Sequence, residues 1–368
     1  MKKYVFKKKR YFFIIGLIDF LGNLLFRPSN KKIYLNNINK ILVVRLDHLG
    51  DIVSSIPVYK QLKQKLPNCR ISVLTTPQGE EILRFNPYID NIITFCCPWF
   101  ARGKKEYYKI FTIRNKILQE KFDCALELRG DIRNILFLRF CRVKDIIGYG
   151  ITGGGFLLSK EMPYQDNFCA VDKNLFIMKG LGLDYYSDFP RIYWNETEKE
   201  TRWAQQILDN DKPVIVYHPD AGTPAKKWPQ KKFLEVINKV EKIFSVKTVL
   251  IGKEKISELS ETNFLCLFEK TTLRQMIHIL RVSKLLISND SGPAHIAAAV
   301  GIPVVVIWSG TADPQIWAPR GKNVKIVRKD VDCQFCERKR CSSLECLKKI
   351  SVEDVFLAVE KVFNENWN

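Results

Sequence analysis

Histidine and methionine are scarce in this chain, four of each among 368 residues, and glycine and proline together supply only 35. So few histidines, scattered one at a time, exclude a histidine-rich metal centre, and the modest glycine and proline content excludes a fibrous or low-complexity chain. No internal repeat of solenoid period is present. Acidic residues are in deficit, 39 against 59 lysines and arginines. Long apolar runs are missing as well. The longest near-apolar stretch, residues 11–26, is interrupted by Asp19 and Asn23 and contains Gly16 and Gly22. A spanning helix needs roughly 20 apolar residues, and no small-residue cleavage site follows, so neither an anchor nor an export signal is expected.

What is present fits a globular protein, with 46% hydrophobic and 27% charged residues over a length that suits two domains. The charge of +20 is unevenly spread. Residues 1–40 carry ten basic side chains and one acid, Asp19, a net +9 in about a ninth of the chain. Such an arm suits a polyanion, and with no nucleic-acid module in sight a membrane surface or phosphorylated lipid is the expected partner. The stretch 11–26 then reads as an amphipathic interfacial helix, the alternative being a helix packed on the protein's own surface. Eleven cysteines without an export signal point to a reducing cytoplasm.

From residue 41 the pattern alternates. Short apolar runs at 41–46, 71–75, 91–95 and 124–128 are separated by helical stretches at 51–66, one ending near 86–87, and one at 105–120. After a glycine- and aromatic-rich pause over 148–188 the alternation resumes, with strands at 214–217, 247–251, 285–288 and 304–308 and helices at 232–244, 273–282 and 293–300. Alternation of this kind predicts parallel sheets covered on both faces. The predicted organisation is a basic arm (1–40), two Rossmann-like α/β domains (41–190 and 191–350) with ligand in the cleft outside the carboxyl ends of their strands, and a final helix (351–368). The last begins with a capping-box pattern, Ser351-Val352-Glu353-Asp354.

Three strand-to-helix turns carry candidate chemistry. RLDHLGDIV (45–53) lacks G-x-G-x-x-G, which weighs against a dinucleotide cofactor. In it Asp51 is either a helix cap or a general base, kept ionised by the helix terminus. HPDAGTPAKKWP (218–229) combines small residues, which let backbone N–H groups approach a phosphate, with Lys226 and Lys227, which supply charge or simply a solvated surface. NDSGPAH (289–295) brings a Ser/Gly turn to a helix N-terminus, the usual place for an anion, with His295 in the first turn. Asp290 would repel phosphate and is expected to hold sugar or ribose hydroxyls. Cys333, Cys336, Cys341 and Cys346 are spaced for a tetrahedral structural zinc site, and disulfides or free thiols are the alternatives.

Together these segments resemble glycosyltransferase family 9, the ADP-heptose:lipopolysaccharide heptosyltransferases. The match rests on RLDHLGDIVSSIP (45–57), HPDAGTPAKKWP (218–229), NDSGPAHIAAAVGIPVVVIWSGTADPQIWAP (289–319), ELRGDIRN (127–134) and IGYGITGGGFLLS (147–159), and extends over about residues 40–360. The resemblance implies a GT-B fold and inverting transfer of heptose from ADP-heptose to a lipopolysaccharide core or lipid A-type acceptor, with no metal or other cofactor required. Asp51 matches the family's base, and Thr223, Lys226, Glu254, Asp290, Ser291, Gly292 and His295 match its donor-binding residues. Arg129 and Arg133 fall where the acceptor is bound. The implied location is the cytoplasmic face of the inner membrane. Ala221-Gly222 and Asp47-His48 stand where family members carry hydroxyl side chains. That leaves room for another nucleotide sugar, used in capsule or exopolysaccharide synthesis. A catalytically silent GT-B binding protein is the reading from a different class.

Overall fold

The computed structural model describes residues 4, 9–25, 32–100, 106–208, 212–253 and 264–366. It divides into two compact units, Met1–Asp188 and Phe189–Asn368. Helix Lys9–Leu25 falls in the first unit and the final helix in the second.

In the first unit β1 (Lys40–Arg45), β2 (Arg70–Thr75), β3 (Asn91–Thr94), β4 (Cys124–Glu127), β5 (Asp145–Gly148) and β6 (Lys160–Glu161) form one sheet. Their order is β3-β2-β1-β4-β5-β6, with every neighbouring pair parallel. β1 reads KILVVR and is buried at five of its six positions, as a central parallel strand with both faces covered must be. The helices Leu49–Lys65, Pro77–Leu83, Lys109–Glu120 and Ile132–Phe140 connect the strands.

The second unit repeats the topology. β7 (Val214–His218), β8 (Lys247–Leu250), β9 (Leu265–Cys266), β10 (Leu285–Asn289), β11 (Val304–Ile307) and β12 (Val324–Val327) run in the order β12-β11-β10-β7-β8-β9, again all parallel. Helix Gln230–Ile243 places Phe233, Val236, Ile237 and Val240 at i, i+3, i+4 and i+7, and all four are buried in this unit's core. Burying such side chains contributes about 1.5–3 kcal/mol each. The final helix, Val352–Asn366, opens as its sequence predicts: Asp354 N–H donates to Ser351 Oγ (3.1 Å) and Ser351 N–H donates to Asp354 Oδ2 (2.8 Å).

Both strand orders are that of a dinucleotide-type α/β sheet, 3-2-1-4-5-6 in each unit's own sequence order. The chain reverses direction across the sheet between β1 and β4, and again between β7 and β10. Loops leaving the carboxyl ends of strands diverge at such a switch point, which leaves a crevice there for ligand. The three candidate turns follow β1, β7 and β10.

Candidate functional site

At the first switch point Arg45 ends β1 with its side chain buried. Its Nη2 donates to Asp51 Oδ1 (2.9 Å), its Nε to the Asp51 carbonyl (3.2 Å) and its Nη1 to the Leu128 carbonyl beyond β4 (3.0 Å). One guanidinium therefore fixes both loops at the strand ends. Asp51 lies in the first turn of helix Leu49–Lys65, but no side chain caps that helix, and the Asp51 carboxylate goes to Arg45 instead of capping. About a fifth of it (22%) remains exposed. Burial, together with the neighbouring Asp47 carboxylate, pushes the Asp51 carboxyl up from its usual range, against the pull of Arg45, His48 and Arg129. Desolvation and the like charge outweigh the favourable charges around it. A base is more effective for being raised toward working pH.

Arg129, one of the two expected acceptor residues, pairs with Asp47 and lies 3.7 Å from Asp131. Arg133 pairs with Asp131 at 2.7 Å and is about half exposed. Both guanidinium groups stack over the Phe100 ring, 3.9 and 4.8 Å from its centroid. The arrangement offers an aromatic surface between two cations, at the strand end that carries Asp51.

Sequence reasoning passed over Glu127, the last residue of β4, which is fully buried. Its carboxylate accepts from the Gly130 N–H and from Asn134 Nδ2 (2.8 Å), and Asn134 Oδ1 in turn accepts from Trp99 Nε1 (2.9 Å). Burial pushes its pKa up to about 7, although the Asn134 and Gly130 bonds pull the other way. The signal was a lone acid in an apolar strand, CALE. Gly130 is needed where it stands, since its φ is +76° and a Cβ would collide with Ile151.

At the second switch point the loop after β7 carries Thr223 and Lys226, and the turn after β10 carries Asp290, Ser291, Gly292 and His295. The structure brings these two segments together. Asn289 Nδ2 donates to the Pro219 carbonyl (2.7 Å) while its Oδ1 accepts from the Trp228 N–H (3.2 Å), which ties the loops side by side. Lys226 Nζ pairs with Asp290, and Lys227 Nζ pairs with Asp220 at 2.8 Å. Ser291 is the N-cap residue of helix Gly292–Val300 but does not cap it through its side chain. Its Oγ instead meets His218 Nδ1 (3.1 Å) and Ser288 Oγ (3.0 Å). Burial lowers the His218 pKa to about 4, and that of His295 to about 4 as well, so both imidazoles are neutral at physiological pH. Thr223 Oγ1 is buried without a hydrogen-bond partner among the described residues. His218 and Asn289, which hold this geometry, were not singled out from sequence. Glu254 lies outside the described residues.

The four residues of the cysteine cluster differ in burial. Cys333 is exposed, Cys336 and Cys341 are half-buried and Cys346 is buried, and none of the four is joined in a disulfide. Among the described residues no three His, Cys, Asp or Glu side chains are gathered to hold a metal ion. Helix Glu345–Lys348 turns Cys346 into the core against Gly310, while Cys341 Sγ accepts from the Leu344 N–H (3.4 Å). The loop has another use: the Lys339 carbonyl accepts from the Ala225 N–H (3.2 Å) and so braces the turn that carries Lys226.

Comparison with known proteins agrees with this geometry. The family model described as glycosyltransferase family 9 (heptosyltransferase) matches residues 110–347, more than half of the chain. Lipopolysaccharide heptosyltransferase 2 of Salmonella typhimurium is 25% identical over 309 residues, covering 78% of this chain and 88% of that protein. Among solved structures, the ADP-heptose lipopolysaccharide heptosyltransferase II of E. coli superposes with a TM-score of 0.74 at 20% identity, over 89% of this chain and 100% of the other. A family 9 glycosyltransferase from Veillonella parvula gives 0.75 at 21% identity, over 92% and 100%. Two doubly wound units of GT-B type, with polar groups converging at each switch point, and a family match across both therefore lead to one assignment: the chain belongs to glycosyltransferase family 9, and it is a glycosyltransferase.

Proposed function

We propose that the chain transfers heptose from ADP-heptose to a lipopolysaccharide core or lipid A-type acceptor, with inversion at the anomeric carbon and Asp51 as general base. The observation that carries the reading is the state of Asp51: a partly exposed carboxylate at the β1 switch point, held by Arg45 through one oxygen and raised above the ordinary carboxylate range. In this mechanism an acceptor hydroxyl attacks the anomeric carbon and gives its proton to Asp51. The bond from that carbon to the diphosphate oxygen breaks, and ADP leaves with the bonding electrons. Lys226 and the backbone N–H groups at Ser291–Gly292 meet the charge on the departing diphosphate, and preorganised donors of this kind are worth about 10²–10³ in rate each. Thr223 and Asp290 bind donor hydroxyls, neutral His295 lines the donor side, and Glu254 is assigned to the nucleoside. With lysine and helix terminus neutralising the diphosphate, no metal or other cofactor is required. Arg129 and Arg133 hold the anionic glycolipid acceptor. The basic arm keeps the protein at the cytoplasmic face of the inner membrane.

The test is transfer by purified protein with ADP-heptose against UDP- and GDP-sugars, in the presence of a chelator. Selective use of ADP-heptose under chelation is the expected result. Preference for another nucleotide sugar would move the protein to capsule or exopolysaccharide synthesis, and the loop Ala221-Gly222 is where that change would be read. Binding of every donor without transfer would identify a silent binding protein.

A further inference from the structure

Helix Lys9–Leu25 is built inside out for a surface helix. The stripe it turns to its own domain is Ile15, Asp19 and Gly22, at i, i+4 and i+7. Asp19, the only acid among the first 40 residues, is 3% exposed: its Oδ2 accepts from Tyr4 Oη (2.7 Å) and its Oδ1 from the Gly154 N–H (2.8 Å). Gly22 lies so close on the Phe156 ring that a Cβ has no room. The apolar residues point the other way, with Phe13 81%, Phe20 66%, Leu24 74% and Leu25 76% exposed.

The exposed surface does not end with this helix. Ile15 and Ile132 both abut Gly153, and on helix Ile132–Phe140 the residues at i+4 and i+8 from Ile132 are Leu136 and Phe140, both exposed. The Phe140 ring meets exposed Phe111 edge-on at 6.0 Å, and the Arg114 guanidinium lies 4.5 Å over Phe140. The first unit therefore presents exposed apolar side chains both on the N-terminal helix and on a second lobe, Leu136, Phe140 and Phe111, where Arg114 lies over the Phe140 ring.

We propose that this composite surface is seated in a lipid bilayer bearing anionic headgroups, and that the arm is one part of it rather than a free tether. Charge selects the occupant. A second copy docked by two-fold symmetry would set two arms of net +9 against each other, whereas anionic headgroups neutralise them. A helix of 17 residues is about 26 Å long at 1.5 Å per residue and carries its domain on one side, so it lies along the interface and inserts its outer face only. Asp19 acts as the latch: with its carboxylate satisfied inside the domain, the helix presents no acid to the headgroups. If the acceptor is a glycolipid, as the proposed function holds, the seating also explains its delivery. Arg133 directly follows Ile132 on the same helix.

The experiment is co-sedimentation of the full chain with phosphatidylcholine vesicles, alone and with phosphatidylglycerol added, together with solution mass by analytical ultracentrifugation. Variants are F13S/L17S/L21S on the arm helix and L136S/F111S on the second lobe, none of them in the proposed machinery. We expect strong binding only to the anionic vesicles, a fall of about tenfold or more in the first variant and a clear fall in the second. Transfer to a soluble, delipidated acceptor should stay unchanged in both, which separates this outcome from failure of the enzymatic reading. Indifference of the wild-type protein to anionic vesicles, wild-type binding by either variant, or a dimer that F13S/L17S/L21S dissociates would overturn the proposal.

Discussion

At the scale of single residues, the two switch points hold carboxylates in different ways. Asp51 accepts from one guanidinium through a single oxygen and stays partly open, whereas Asp290 is engaged by Lys226. If Asp51 is the base, Asp51→Asn should lower kcat by about 10²–10⁴, the usual worth of a positioned base, and leave the donor dissociation constant unchanged. Its acid limb in kcat against pH should sit above the ordinary aspartate value of about 3.9, because burial and Asp47 both raise it. Asp47→Asn removes the like charge and should carry that limb to lower pH. A limb that stays in place would separate Asp47 from the base. For Lys226→Ala the expected loss is in donor affinity, about tenfold or more, because a charge-assisted contact contributes about 1.5–3 kcal/mol. Calorimetric titration with ADP reads it directly, and an unchanged constant would remove Lys226 from the diphosphate site.

At the scale of elements, His218 links β7 to the N-terminus of helix Gly292–Val300 through the hydrogen bond between its Nδ1 and Ser291 Oγ (3.1 Å). Its folded pKa is about 4 against 6.5 unfolded. The unfolded chain therefore binds the extra proton first as pH falls. Stability from this group is present above pH 6.5 and is lost as pH drops toward about 4, by roughly 3 kcal/mol at most. Thermal melts from pH 7 to 4 should fall more steeply in the wild type than in His218→Gln; parallel curves would mean that the imidazole is not held neutral. The same element shows what sequence makes legible. β10, β7 and helix Leu273–Val282 were readable because continuous apolar runs and a strict 3.6-residue period leave little else for them to be. Helix Ile132–Phe140 escaped notice: its Leu136 and Phe140 face outward, so their period competes with the buried Ile135 and Leu138. The strands β5, β6, β9 and β12 were missed too. Two-residue edge strands such as β6 and β9 have no period to read, and they form because a longer neighbour supplies the ladder. Asp51, Lys226 and the Ser291–Gly292 turn could be found from sequence because each follows a strand on a short turn. His218 and Asn289 meet partners some 60–70 residues away, which only the fold brings to them, while Glu127, whose partners Gly130 and Asn134 are local, is set apart by its burial.

At the scale of the whole molecule, each unit repeats one topology and keeps its own core, so the proposed chemistry is divided along the chain: Asp51 in the first unit, the Lys226 and Ser291 segments in the second. That division makes donor binding separable from catalysis. ADP without acceptor should slow amide exchange at residues 218–228 and 289–296, where two loops already tied by Asn289 gain a shared ligand. It should leave the central strands β1 and β4 unaltered, since their amides are closed in parallel ladders with or without ligand. Lys226→Ala should abolish the protection at both segments together, because its Nζ joins one to the other through Asp290. Asp51→Asn should retain it in full. Protection that followed Asp51 instead of Lys226 would put the nucleotide in the first unit and reverse the division of labour proposed for the two sheets.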